Sequence, residues 1–143
     1  MATKETYTSV LENATNLAIA TERVEGHIPS VRTVNFLYFP KQSENTVYFA
    51  TSKDTNKVKE LAANEHLSFT TTPLSAADSS TVRVIGADTK VDNSHRDETF
   101  EAMDKKYPSF KMFDQKARDN MDINALTFKE ADEFSKNGGK ITF

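Results

Sequence analysis

The chain has 143 residues, of which 37% are hydrophobic and 27% are charged, with a formal net charge of −3. This balance predicts one globular domain over residues 1–143 rather than a disordered chain, and it gives no sign of nucleic-acid binding. The absence of cysteine excludes disulfides, thiolate nucleophiles, zinc ribbons and iron–sulfur clusters.

Hydrophobic periodicity divides the chain into short strands and amphipathic helices. The predicted helices cover residues 3–14, 52–64, a segment capped by 92–94 that ends at 106, and 110–120. The predicted strands cover residues 16–21, 27–39, 46–51, 66–72, 82–91, 125–134 and 140–143. We expect strands 27–39 and 46–51 to form a hairpin through the polar loop 41–45.

Two glycine-containing segments give further detail about the strands. Val82 and Val84 alternate on one face, and after Gly86 the alternation resumes one residue out of phase at Ala87, which predicts a β-bulge. Residues 137–139, Asn-Gly-Gly, predict a hairpin turn. With no repeat or linker, the pattern favours a mainly β fold with peripheral helices, a small closed or split barrel of six to seven strands.

Several common functional motifs are missing. The sequence has no Gly-x-Gly-x-x-Gly or Gly-Lys-Ser/Thr phosphate loop and no Gly-x-Ser-x-Gly nucleophile elbow. His27, His66 and His95 are scattered without metal-ligand spacing, so we predict no metal site. No secretion leader and no stretch of about 20 apolar residues is visible, so we expect a cytoplasmic protein outside the membrane.

Arg32 and Lys57 stand in places where a cation is unfavourable without an anion. Arg32 lies in a strand with apolar residues on both faces, so it needs an anionic partner such as carboxylate or phosphate. Lys57 lies in the first turn of a predicted helix, where the dipole disfavours a cation unless an anion is bound. The alternative is a capped surface helix on which Lys53, Lys57 and Lys59 are solvated, and the residues alone leave both interpretations open.

The segments around these two cations resemble a known family. They are Arg32-Thr-Val-Asn-Phe, Tyr48-Phe-Ala-Thr51 and Thr55-Asn-Lys57-Val-Lys-Glu60-Leu-Ala-Ala-Asn64. Together they are similar to the pyridoxamine 5′-phosphate oxidase-like family of FMN-binding split barrels, in particular its short bacterial members labelled general stress proteins. The resemblance covers roughly residues 12–107.

The resemblance implies a homodimeric split β-barrel with FMN at the subunit interface. Arg32, Thr55 and Lys57 would clamp the phosphate, while backbone groups of two strands would line the flavin ring. The implied FMN-binding residues are Arg32, Thr33, Val34, Asn35, Thr51, Ser52, Thr55, Asn56 and Lys57. A dimer is also expected because residues 36–39, Phe-Leu-Tyr-Phe, carry more apolar surface than one interior face can cover.

The sequence departs from the parent oxidases in ways that concern the substrate. Asn56 stands where the family commonly has a second basic residue, and Leu37 stands where the oxidases carry a lysine. The basic substrate-binding segment at the end of the oxidases is also missing. We therefore expect an FMN-dependent oxidoreductase acting on an unidentified small molecule, with no catalytic residue assigned. The alternatives are a non-catalytic flavin-binding or stress-related sensing module, and an empty barrel.

Overall fold

The computed structural model describes residues 3–136 and 138–143, which form a mainly antiparallel β structure with peripheral helices, as predicted. The helices are α1 (Lys4–Asn13), α2 (Asn56–Ala63), α3 (Arg96–Lys106) and α4 (Gln115–Asp119), with a 3₁₀ helix at Pro108–Met112. The strands are β1 (Asn16–Glu22), β2 (Pro29–Asn35), β3 (Leu37–Tyr38), β4 (Thr46–Ser52), β5 (His66–Thr71), β6 (Thr81–Val91), β7 (Met121–Thr127), β8 (Glu130–Phe134) and β9 (Gly139–Thr142). Among the described residues, no helix is long and apolar enough to cross a membrane.

The sheet follows one main path with a side branch. Its order is β2-β1-β5-β6-β7-β4-β3, and β8 pairs with β6 and β9 beside this path. The seven strands of the main path, counted within the described residues, confirm the predicted split barrel of six to seven strands. β2 and β3 stand at opposite ends of the path but follow each other in the chain, so the sheet curls on itself and leaves an opening between β2 and β4.

The predicted strand 27–39 is interrupted, and this interruption produces the opening. Its first part, β2, pairs with β1, and only Leu37 and Tyr38 pair with β4. The backbone of Phe36 is engaged elsewhere: its N–H donates to the Tyr107 hydroxyl at 3.0 Å, and its carbonyl accepts from Lys106 Nζ at 3.1 Å. The predicted hairpin through residues 41–45 is therefore confirmed for Leu37 and Tyr38. The prediction of one continuous strand over 27–39 was wrong, because side chains at the end of α3 replace the sheet partners of Phe36.

Other predicted boundaries were also wrong: the helix predicted over 110–120 is the 3₁₀ helix followed by α4, and the helix predicted over 52–64 begins only at Asn56. Two further differences have local reasons. The strand predicted over 125–134 is two strands, β7 and β8, because Phe128 turns into the core and its carbonyl accepts from Asn45 Nδ2 at 2.8 Å. The helix cap predicted at 92–94 closes a turn instead, since Asp92 accepts from the N–H and the hydroxyl of Ser94. Helix α3 then begins after His95.

The two glycine predictions have different outcomes. Gly86 has a φ of +75°, and the pairing of β5 with β6 shifts register between Leu67 and Phe69, so the β-bulge is confirmed. Asn137 of the predicted Asn-Gly-Gly turn lies outside the described residues. Next to it, the N–H of Gly138 donates to the carbonyl of Ser135 at 3.1 Å, in the connection between β8 and β9.

Two hydrophobic clusters cover the apolar residues of the bent strand within one chain. Phe36 and Tyr38 pack in the larger cluster inside the barrel, which also holds Tyr7 and Leu126. Leu37 points the other way, into a cluster with residues of α3 and the 3₁₀ helix. The expectation that this strand needs a second chain to cover it was therefore wrong, because alternate side chains enter separate cores.

We predict that Tyr107→Phe destabilises the fold by about 1–3 kcal/mol, because the buried Phe36 N–H would lose its acceptor. The hydroxyl of Tyr107 also donates to the carbonyl of Thr15 at 2.6 Å, so the variant loosens two chain segments together. Urea denaturation measures the loss. Tyr48→Phe is the matched control, since the Tyr48 hydroxyl has no hydrogen bond among the described residues. Equal stability of the two variants would show that Tyr107 does not hold the bend.

Candidate functional site

Arg32 forms a hydrogen-bonded ion pair inside the chain. It lies opposite Ile19 in the β1–β2 ladder, on the inner face of β2. Its guanidinium donates to Thr21 Oγ1 at 2.9 Å, to Ser30 Oγ at 2.6 Å and to Glu60 Oε1 at 3.2 Å. The anionic partner that the sequence predicted for Arg32 is therefore present within the chain as Glu60.

Glu60 is the buried centre of this cluster. It extends from α2, only 5% of its surface is exposed, and its Oε1 also accepts the Thr21 hydroxyl at 2.6 Å. The hydrogen bond from Thr21, together with the bond and charge of Arg32, holds the pKa of Glu60 below its ordinary value. Glu60 is consequently ionised at neutral pH and fastens α2 to β1 and β2.

Lys57 adds a second cation one turn earlier on α2. Burial of its half-buried side chain and the nearby charge of Arg32 lower the pKa of Lys57, while Glu60 acts in the opposite direction. Arg32 is paired with the Glu60 carboxylate, whereas no salt bridge of Lys57 is found among the described residues. Lys57 therefore adds a positive charge near Arg32, and the two charges together favour an additional anion.

The start of α2 presents further polar groups. Thr55 is the N-cap, and its hydroxyl accepts from the Val58 N–H at 3.4 Å. Asn56 and Glu60 line a polar pocket of about 260 Å³ together with Arg23 and Lys59. Of the lysine cluster of the sequence, Lys59 lies at this pocket, whereas Lys53 is exposed and precedes α2.

The predicted ring-lining residues lie on the two sides of the opening. The β3–β4 ladder pairs Leu37 with Tyr48, and if it continued it would set residues 33–35 opposite residues 50–52. Because of the bend at Phe36 it stops there. In the part of the chain that the structure describes, no strand pairs with the outer edge of β2 or with the facing edge of β4 beyond Tyr48.

Alternate residues within 33–35 on one side of the opening, and within 51–52 on the other, therefore direct backbone groups to an edge without a strand partner. The side chain of Thr51 is buried, and the Ser52 hydroxyl accepts from Asn120 Nδ2 at 3.3 Å. These residues offer backbone rather than side-chain atoms to the opening. With the cations at the start of α2, the residues present fit an anionic group joined to a flat, hydrogen-bonding ring.

One group of potential metal ligands escaped the sequence analysis. Ligand atoms of Glu65, His66 and Asp88 lie within 4.8 Å of one another, although the histidine spacing in the sequence gave no such pattern. All three residues are exposed, and His66 Nδ1 contacts Asp88 Oδ1 at 3.0 Å. Exposed acidic groups are common without a metal ion, so this surface contact does not by itself make a metal site.

From the sequence, Glu60 was recognisable as part of a motif without a role, and Thr21 and Ser30 were not predicted as hydrogen-bond partners of Glu60 and Arg32. Strand alternation could have found the last two. Thr21 and Ser30 are paired in the β1–β2 ladder, and Ser30 lies two residues from Arg32, so all three side chains share a face.

We predict that Glu60→Gln lowers the free energy of unfolding by about 1–2 kcal/mol at pH 7, because the charge partner of Arg32 is lost. The pKa of Glu60 in the folded chain lies below its ordinary value near 4.5. Its contribution to the free energy of unfolding is therefore fully present above pH 4.5 and is lost as the pH falls through the pKa of the folded chain. The difference between wild type and variant, measured by urea denaturation, should therefore shrink below about pH 4.5.

Glu101→Gln is the control for this measurement. Glu101 is exposed on α3 and contacts only Lys105, at 4.0 Å, among the described salt bridges. A pH-independent loss in Glu60→Gln, or an equal loss in Glu101→Gln, would contradict the assigned ion pair.

Solved structures share this fold at low sequence identity. General Stress Protein 26 from Bacillus anthracis is 12% identical, with a TM-score of 0.71 over 98% of each chain. An FAD-binding protein from Mesorhizobium loti is 14% identical, with a TM-score of 0.69 over 99% of this chain and 96% of that one. A heme binding protein from Mycobacterium smegmatis is 12% identical, with a TM-score of 0.75 over 99% of this chain and 59% of that one.

Sequence comparison gives the family directly. No curated protein matches the chain. The family model described as pyridoxamine 5′-phosphate oxidase matches residues 3–134, and the sequence resemblance around Arg32 and Lys57 is thereby confirmed. The chain belongs to the pyridoxamine 5′-phosphate oxidase family.

Proposed function

We propose that the chain binds FMN at the opening between β2 and β4, as a homodimer, and acts as an oxidoreductase on a small molecule. The observation that carries this proposal is that Arg32, paired with Glu60, lies near Lys57 in the first turn of α2, so that two cations stand beside one carboxylate that is bonded to Arg32. A phosphate monoester at this place would neutralise the remaining charge and raise the pKa of Lys57 again.

The phosphate clamp would use groups that the ion pair leaves available. The guanidinium of Arg32 carries more N–H groups than its three described contacts use. The first backbone N–H groups of α2, preceded by Thr55, have no partners within a helix and favour an anion. Arg32, Thr55 and Lys57 would therefore hold the phosphate from one side, as the family resemblance implies.

The flavin ring would lie along the unpaired edges of the opening. Backbone groups of residues 33–35 and 51–52 offer N–H donors and carbonyl acceptors, which suit the polar edge of an isoalloxazine ring. A second copy of the chain would cover the ring and nearby apolar side chains. Val24, Ile28 and Val31 are 63%, 49% and 69% exposed on and beside the β1–β2 connection, which supports an interface there.

Bound FMN would supply the electron-transfer chemistry, and the chain would supply position and charge. Arg32 and Lys57 would fix the phosphate, and the strand edges would orient the ring and exclude water from one side. A flavin role agrees with the fold shared with the FAD-binding protein from Mesorhizobium loti and with General Stress Protein 26.

Leu37 supports a substrate other than pyridoxamine 5′-phosphate. It stands where the parent oxidases carry a lysine, and here it is only 5% exposed, within the cluster beneath α3. A side chain in that place meets Phe100 and Met103 rather than a substrate phosphate. The proposed reaction therefore uses the family's cofactor, FMN, with a substrate other than pyridoxamine 5′-phosphate.

We predict that the purified protein quenches FMN fluorescence with micromolar affinity. Lys57→Met should weaken binding by roughly 10- to 100-fold, because one charged hydrogen bond to the phosphate is worth about 1.5–3 kcal/mol. Arg32→Lys should also weaken binding, because it keeps the charge and loses the planar fork. A fluorescence titration of each variant measures both effects.

Lys53→Met is the matched control, since Lys53 is exposed and precedes the helix. Light scattering on the same samples should give a dimer. No quenching by the wild type would overturn the flavin proposal, and equal losses in Lys53→Met and Lys57→Met would overturn the clamp. A monomer that still binds FMN would contradict the shared interface.

Turnover separates an oxidoreductase from a sensing module. We expect protein with anaerobically reduced FMN to be reoxidised by at least one small-molecule acceptor faster than free reduced FMN, followed by stopped-flow absorbance. If a panel of quinones, disulfides and nitroaromatic compounds gives no acceleration over the free cofactor, the non-catalytic flavin-binding alternative is favoured.

A further inference from the structure

Another pocket lies on the outer face of the sheet, where the β1–β2 connection meets β5. Its volume is about 190 Å³, and its lining includes Glu22, His27 and His66. Within the described part of the chain, no lysine or arginine lines it. The pocket therefore brings together two of the three histidines, which are 39 residues apart in the sequence. We call it the histidine pocket.

The strand register places side chains of three strands in one row at this pocket. The β1–β5 ladder pairs Ala20 with Ser68, and the same register two residues further sets Glu22 beside His66. Both residues are at outward positions of their strands. The β5–β6 ladder then pairs His66 with Asp88. Since neighbouring side chains on adjacent strands have Cβ atoms about 4.5–5.5 Å apart, Glu22, His66 and Asp88 form a continuous row.

His27 joins this row from the β1–β2 connection. Its Nδ1 lies 2.9 Å from Glu22 Oε1, and His66 has the equivalent contact, with Nδ1 at 3.0 Å from Asp88 Oδ1. An ionised carboxylate only accepts hydrogen bonds, so each pair places a proton on Nδ1 and leaves Nε2 available. Metal-binding histidines commonly have this arrangement, in which a carboxylate orients the ring and the other nitrogen binds the metal.

The charge and the donor atoms at the pocket favour one class of ion. Ligand atoms of Glu65, His66 and Asp88 lie within 4.8 Å of one another, and Glu22 adds a third carboxylate beside His27. Three carboxylates with two imidazoles attract a divalent cation. Imidazole nitrogen suits Zn²⁺, Ni²⁺ and Cu²⁺, whereas Mg²⁺ and Ca²⁺ prefer oxygen ligands.

We propose that the histidine pocket binds one divalent transition-metal ion of the zinc and copper type, through Nε2 of His27 and Nε2 of His66. Glu22 and Asp88 would orient the two rings, and Glu65 and water would supply oxygen ligands. The bound ion would connect the β1–β2 connection to β5 and β6. These residues are separate from the proposed flavin-binding residues, so the inference does not depend on FMN.

The test is a calorimetric titration of ZnCl₂ into the full chain, without a polyhistidine tag and after treatment with EDTA. The chain has no cysteine, so no thiolate competes for the ion. We expect one Zn²⁺ per chain with micromolar affinity, a higher Tm with Zn²⁺ present, and no competition from MgCl₂.

His27→Asn and His66→Gln should each weaken Zn²⁺ binding by roughly 10- to 100-fold, because one of two nitrogen ligands is lost. Asparagine is chosen at residue 27 because the φ of His27 is +52°, which asparagine tolerates. Both histidines are exposed, and the Tm of each variant without metal should equal that of the wild type.

His95→Gln is the matched control. His95 Nδ1 also contacts a carboxylate, Glu98 Oε2 at 3.1 Å, but among the described residues no second histidine lines its pocket. This variant should bind Zn²⁺ like the wild type. In the amide NMR spectrum, substoichiometric Cu²⁺ should broaden signals around His27 and His66 and leave those around His95 sharp.

Three outcomes would overturn the proposal. They are an absence of saturable Zn²⁺ binding by the wild type, a loss confined to only one of His27→Asn and His66→Gln, and an equal loss in His95→Gln. FMN binding is measured separately by fluorescence, so the flavin proposal and the metal proposal each fail on their own readout.

Discussion

The buried ion pair between Glu60 and Arg32 determines where α2 can sit on the barrel. A buried ion pair is costly unless its remaining hydrogen-bonding positions are satisfied. Thr21 and Ser30 satisfy several of them, at distances of 2.6–2.9 Å. The middle of α2 is thereby fastened to β1 and β2, and Lys57, one turn earlier, lies close enough to Arg32 for the two charges to repel each other.

The bend at Phe36 is the second constraint on the site. A regular strand would have continued the β3–β4 ladder and paired residues 33–35 with β4. Tyr107 and Lys106 instead hold the Phe36 backbone from the end of α3. The facing edges of β2 and β4 are left unpaired as a result, so contacts from the end of α3 produce the opening between these two strands.

These two constraints show what sequence could predict. Arg32 and Lys57 were recognisable because each is a cation in a context that disfavours one, and that information is local. The Phe36 bend was not, because it depends on Tyr107, which is 71 residues away. The partner of Arg32 was missed for the same reason, since Glu60 is 28 residues away and a charged residue in a short amphipathic helix is usually solvent-exposed.

Strand positions were predicted better than strand partners. The bulge at Gly86 was predictable because the alternation of Val82, Val84 and Ala87 changes phase there, and this change is contained in the sequence of one strand. The change of strand partner within residues 27–39, from β1 to β4, is not visible in the sequence, because β-branched and aromatic residues suit pairing with either strand. Periodicity therefore predicted the type of fold, whereas the opening between β2 and β4 could be found only from the contacts in the structure.

The internal carboxylate has a consequence for how the protein is made. Glu60 acts as a resident counterion, so Arg32 is neutralised as soon as the chain folds and needs no prosthetic group to be stable. Folding of the chain therefore does not require an anionic ligand to neutralise Arg32. Binding of the proposed anionic ligand would then redistribute the hydrogen bonds of the Arg32 guanidinium between Glu60 and the ligand, and the Glu60–Arg32 ion pair would remain after the ligand is released.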